Sequence, residues 1–177
     1  MRWQSTENND DITDVHFHPS RHNHLLSGGI DGLVSIFDTD VKDQDDSLLQ
    51  VVNHGPIHRA GFLSDEVVFA LSHDEQFSIH AVTSDAESAI PFAGSLSENA
   101  NPTTSDIPPV HFGDLRPVLN CDYVIDVLQA NGSAFVATGT HTRYVKFVSL
   151  LKELAVLKDH ERTRRTQPDI SMANVLP

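Results

Sequence analysis

Asp31 and Asp74 stand 43 residues apart, each in the second turn of a succession of short apolar runs. Within the runs apolar positions recur at steps of two, so the runs are strands and not helices. The first unit offers residues 12–17, 25–27, 33–37 and 48–52, four short strands in about forty residues. Gly28-Gly29-Ile30-Asp31-Gly32 closes the second strand onto the third. Neighbouring strands joined by turns this tight form an antiparallel meander. The second unit repeats the pattern at 57–63, 67–71 and 77–82. A third begins at 123–128 and continues at 135–138 and 144–150, with Asn131-Gly132 as a hairpin turn. From Asp74 to the matching turn residue His141 is 67 residues, about 24 more than one period. The excess falls in residues 83–116, rich in Ser, Asn, Pro and Asp. That composition predicts an extended, mobile surface insertion.

The rest of the composition narrows the function classes. With 39% hydrophobic residues in 177, the chain has material for a core. Its longest apolar run, Val67–Leu71, is far short of the ~20 residues that span a bilayer. The first ten residues lack the apolar stretch of a signal peptide. Cys121 is the one cysteine and has no internal partner, which predicts a reducing compartment and a packing role. A net charge of −13 argues against nucleic-acid binding, because phosphate backbones repel an acidic surface. Asp38, Asp40, Asp43, Asp45 and Asp46 cluster in one segment, read as a solvated loop with docking of a basic partner as the alternative.

The run Leu26-Ser27-Gly28-Gly29-Ile30-Asp31-Gly32-Leu33-Val34-Ser35-Ile36-Phe37-Asp38 resembles a blade of the WD-repeat β-propeller family, with Phe37 in place of Trp. Val15-His16-Phe17-His18-Pro19-Ser20 is similar to the first strand of such blades. Arg2-Trp3, Asp11-Ile12-Thr13 and His73-Asp74-Glu75 add to the likeness, which resembles the C-terminal half of one member. It covers residues 1–85 well, 117–150 weakly and the tail not at all. A repeat of ~40–45 residues with four strands, here called a to d, is that family's period.

The resemblance implies a hydrogen-bonded set in each blade: Asp in the b–c turn, Ser or Thr on strand b, Trp on strand c and His in the d–a loop. Asp31 and Ser27 match it, and Phe37-Asp38 occupies the Trp-Asp positions without an indole N–H. His54 fits the d–a loop ahead of the second unit, with Asp74 as its implied partner and Ala70 where Ser is usual. His80-Ala81 and Val148-Ser149 replace Trp-Asp in the later units.

A rival reading starts from Asp14-x-His16-x-His18. Alternate strand residues share a face, so His16 and His18 could hold one metal of a metal-dependent hydrolase. Barrels built on such a motif need about 250 residues and later ligands, neither of which the sequence offers. The expectation is instead that both histidines face solvent. His73-Asp74 is expected to make a turn contact and not a catalytic dyad. The C-terminal stretch 151–158 is read as a short helix or a last strand d, and 159–177, with Arg162-Thr163-Arg164-Arg165, as an irregular tail.

The predicted architecture is all-β: a partial β-propeller of about three four-stranded antiparallel blades within residues 1–150. The blades fall at 10–55, 56–116 (insertion 83–116 included) and 117–158. The implied function is a protein-interaction scaffold, truncated and without catalysis, metal or cofactor. Its partners would be other proteins at blade tops and edges, not nucleic acid or membrane, with self-association through open blade faces. The expected location is intracellular, cytoplasmic or nuclear.

Overall fold

The computed structural model describes residues 9–82, 108–130 and 133–150. Three antiparallel sheets account for nearly all of them. The first runs β1 (Ile12–Phe17), β2 (His24–Gly29), β3 (Leu33–Asp38) and β4 (Leu48–Asn53), hydrogen-bonded in that order. A single helical turn, α1 (Gln44–Ser47), sits in the acidic segment between β3 and β4. The second sheet runs β5 (Ile57–Ser64), β6 (Val67–Ser72), β7 (Gln76–Ala81) and β8 (Val110–Asp114). After the turn α2 (Arg116–Leu119), β9 (Tyr123–Ala130), β10 (Ser133–Gly139) and β11 (Val145–Ser149) make the third. This is the all-β partial propeller fold that the period implied.

One expectation is corrected. Residues 110–114, expected to lie within the insertion 83–116, form strand d of the second sheet, paired with β7. Val110-His111-Phe112-Gly113-Asp114 alternates too weakly to announce a strand. Its pairing comes from the neighbouring strand: Phe112 packs its ring 5.8 Å from Phe77. The Asn131-Gly132 turn, the remainder of the insertion, Trp3 and the stretch 151–177 lie outside the described residues.

Period-two alternation divides the middle sheet between two cores. In β6, Val68 and Ala70 face the first sheet, where they meet Leu26, Val34, Ile36 and Val52. Phe69 and Leu71 face the third sheet and pack with Phe77, Val124, Val136 and Val148. The middle sheet is therefore apolar on both sides, as a strand buried on both faces must be. Burying each large side chain contributes roughly 1.5–3 kcal/mol, so the two joints hold the three sheets together. Close approach at the first joint depends on Gly28, because a Cβ there would lie 2.8 Å from Ile57 Cγ2 and 3.2 Å from Ala60 Cβ.

Candidate functional site

The polar residues collect where the b–c turns meet the d–a loops, at one end of the sheets. In the first sheet the Asp31 carboxylate accepts from Leu33 N and from Asn9 N, both at 3.0 Å. This stabilises the turn in which Gly32 takes a left-handed conformation, φ 87°. The Gly32 carbonyl then accepts from His54 N at 3.0 Å, seating the d–a loop. Glu75 occupies the equivalent place in the second sheet, with φ 68°, and its carbonyl accepts from Leu115 N at 3.1 Å. A non-glycine residue in that region costs roughly 1–2 kcal/mol. Glu75 offsets part of it through its side chain, whose Oε2 accepts from Val124 N on β9 at 3.1 Å. Burial raises the Glu75 carboxyl pKa, with the Val124 N–H pulling the other way. Glu75 thus links the second sheet to the third. In the sequence it belongs to the His73-Asp74-Glu75 turn and stands where the first unit has its turn glycine, Gly32.

Ser27 and Phe37 are buried, on the face of the first sheet turned away from the second. Asp38 accepts from Asn23 Nδ2 and from Asp40 N, both at 2.9 Å, and so closes the loop after β3. The pairing of His54 with Asp74 is not what the structure shows. Asp74 accepts from the Ser72 hydroxyl next to it in the b–c turn. His54 instead reaches across to β7, with Nε2 2.9 Å from Gln76 O and Nδ1 2.9 Å from Ser78 Oγ. His80 Nε2 lies 2.7 Å from the same hydroxyl. The serine that the family places on strand b has its counterpart one strand over: Ser78 lies directly across from Ala70. His73 stacks on His58, ring centroids 5.3 Å apart, so the turn is a packing contact.

His16 and His18 do not share a task. His18 is buried, contrary to the expectation that it faces solvent. Its Nε2 lies 2.9 Å from Asp65 O, and its Nδ1 accepts from Ser20 N and Arg21 N at 3.2 and 3.0 Å. Both ring nitrogens are thereby occupied by backbone, which leaves neither lone pair for a metal. His16 is exposed and pairs with Asp14 at 2.8 Å. The bond to Asp14 raises the His16 pKa against the effect of burial. Burial works to raise the Asp14 carboxyl, but His16, Ala60 N–H and Arg59 together hold it below its ordinary value. Among the described residues no group of three or more His, Cys, Asp or Glu is placed to hold a metal ion. Cys121 is half-buried against the second core, and burial followed by the Glu75 charge raises its thiol pKa.

Replacing Asp31 with Ala frees Leu33 N and Asn9 N at a partly exposed turn. Thermal unfolding of the variant is expected to show a loss of about 1–2 kcal/mol. An unchanged melting temperature contradicts the role given to that carboxylate.

No family model matches the chain. It is 37% identical over 139 residues to a WD repeat-containing protein of Saccharomyces cerevisiae, an alignment covering 78% of this chain and 31% of the relative. It is 34% identical over 143 residues to a WD repeat-containing protein of Schizosaccharomyces pombe, covering 77% and 39% respectively. The WD repeat-containing protein 89 homolog of Dictyostelium discoideum is 34% identical over 77 residues, 42% of this chain and 21% of the relative. The chain spans about a third of the length of the two fungal relatives.

Proposed function

We infer that this chain, a homologue of WD repeat-containing proteins, is a protein-interaction scaffold without catalytic activity. The carrying observation is that homology, joined to three sheets held face to face with their connecting turns left at the ends. Rigid sheets that present loops suit binding, since loops vary while the frame stays fixed. Among the described residues, the turn between β10 and β11 is exposed from His141 to Tyr144. Tyr144 is 73% exposed there beside exposed Arg143, and tyrosine and arginine are favoured interface anchors.

The partners are proposed to be other proteins at blade tops and edges, inside the cell, with neither nucleic acid nor membrane. No helix among the described residues is long and apolar enough to cross a membrane. Exposed Val15 and Phe17 on β1, and Val145 and Phe147 on β11, are proposed to support self-association as well. The hydrolase reading is disfavoured by the backbone bonds that occupy both nitrogens of His18.

The test is affinity capture with quantitative mass spectrometry, comparing the chain with an Arg143→Ala, Tyr144→Ala variant. The variant is expected to melt as the parent does and to lose at least one protein that the parent enriches. Identical capture by both contradicts docking at this turn, and turnover by the purified chain contradicts the scaffold reading.

A further inference from the structure

We propose that two copies of this chain join head to tail into one closed ring, the third sheet of each packing on the first sheet of the other. This rests on the self-association proposed above and fixes which faces meet. The two joints inside the chain supply the pattern. Each strand a carries a β-bulge near its start, with register shifts between Ile12 and Asp14, between Ile57 and Arg59, and between Val124 and Asp126. The extra residue turns positions three apart to the same face. In the second sheet these are Ile57 and Ala60, which with Phe62 pack against Leu26, Val34 and Ile36 of the first. In the third they are Val124 and Val127, packed against Phe69, Leu71 and Phe77 of the second. Strand a is thus the part of each sheet that enters the sheet before it.

The first sheet carries the same set in the open. Ile12, Val15 and Phe17 hold the places of Ile57, Ala60 and Phe62, and are 42%, 52% and 64% exposed. Ser27 on β2 and Phe37 on β3 share that face and are buried, so the open part is the strand that docks. The matching face is on the third sheet. Phe77 and Ile79, two and four residues past Glu75, present the second sheet to the third. Two and four residues past Arg143 stand Val145 and Phe147, 61% and 65% exposed. Burying these two exposed sets against each other repeats the internal joint.

Charge sets the register. Gly32, Glu75 and Arg143 close equivalent turns: each has a positive φ, and its N–H donates to the carbonyl three residues earlier, at Gly29, Ser72 and Thr140. From this position Glu75 crosses the second joint to Val124 N, near the start of the next strand a. Arg143 holds the same position in the third sheet, and among the described residues its guanidinium has no acceptor. The first-sheet equivalent of Val124 is Ile12, and exposed Asp10 and Asp11 stand directly before it. A guanidinium that crosses the new joint as Glu75 crosses the second meets these two carboxylates. The chain carries a net charge of −13, and such a pair offsets the repulsion between copies at the point of contact. Two copies supply six sheets, within the about 4–8 at which propellers close, so association stops at the dimer and does not grow into a fibre.

The experiment is size-exclusion chromatography with light scattering on the full chain over a wide range of concentration. The mass is expected to rise to twice 19.5 kDa and stop there. Arg143→Asp alone, or Asp10→Lys with Asp11→Lys alone, puts like charges at both joints of the ring. Each is expected to raise the dissociation constant at least about tenfold. Mixed together, the two variants bring opposite charges to both joints, so the mixture is expected to recover the parent's dimer. A dimer that neither charge variant weakens, or a loss that mixing does not restore, overturns the head-to-tail joint and leaves self-association standing. A monomer at every concentration overturns both, and growth beyond the dimer overturns the ring. Should a charge variant fail to fold, Phe147→Ser, which lies outside both internal cores, decides. It is expected to melt as the parent does and to weaken the dimer, and a dimer of parental strength overturns the proposal.

Discussion

Replacing Phe77 with Ala is expected to lower stability by about 3–5 kcal/mol. Phe77 is 1% exposed and sits in β7, in the core between the second and third sheets. Its ring stands 6.1 Å from Phe69 and 5.8 Å from Phe112, so truncation removes packing on two neighbouring strands. Phe112 lies on β8, a strand with a weak sequence signal of its own, and this contact helps hold it in the sheet. The change therefore opens a cavity and loosens an edge strand together. Urea denaturation measures the loss. A decrease below about 1 kcal/mol is too small for a buried phenyl ring and contradicts the joint as described.

Gly28→Val is expected to be the second large effect, at the first joint. A Cβ at Gly28 already meets Ile57 Cγ2 at 2.8 Å and Ala60 Cβ at 3.2 Å. Both neighbours are fully buried, and their Cβ and branch atoms have no free rotation away from the contact. Strand β5 has to move outward or the two sheets separate. Overpacking of this kind costs about 1–3 kcal/mol. Gly139 makes a useful contrast. A Cβ there meets the Tyr123 ring, but that ring is 40% exposed and can swing into solvent. Gly139→Ala should thus cost clearly less than Gly28→Val in the same denaturation series. Equal losses contradict the difference drawn between the two positions.

The strands were legible because their alternation is local. The first sheet, with Asp31-Gly32 in its turn, was legible almost residue by residue, since aspartate and glycine both have backbone reasons to stand there. The second sheet was harder to read. Its turn uses Glu75 where glycine is the easier choice, and only the packed third sheet, through Val124 N, explains that residue. Strand β8 escaped because the whole stretch 82–109 separates it from β7 and its pairing depends on Phe77. His18 looked exposed by its spacing from His16. It lies just past the end of β1, where alternation no longer applies and backbone groups enclose it. His54 departs from the family's pattern for a related reason. Family geometry points to Asp74, but a serine on strand c, facing Ala70, takes over the contact. Such exchanges between adjacent strands leave no trace in a single strand's pattern.

The central claim is that three sheets stand face to face as blades and share two apolar joints. Amide hydrogen exchange on the purified chain, with and without Phe77→Ala, tests it most directly. In the parent, the central strands β2, β6 and β10 are expected to exchange slowest and with a common opening free energy. In the variant, protection should fall in β6 and β10 together, because the lost ring lies between their sheets. Three unrelated opening free energies in the parent, or loss of protection confined to the second sheet in the variant, would contradict the account.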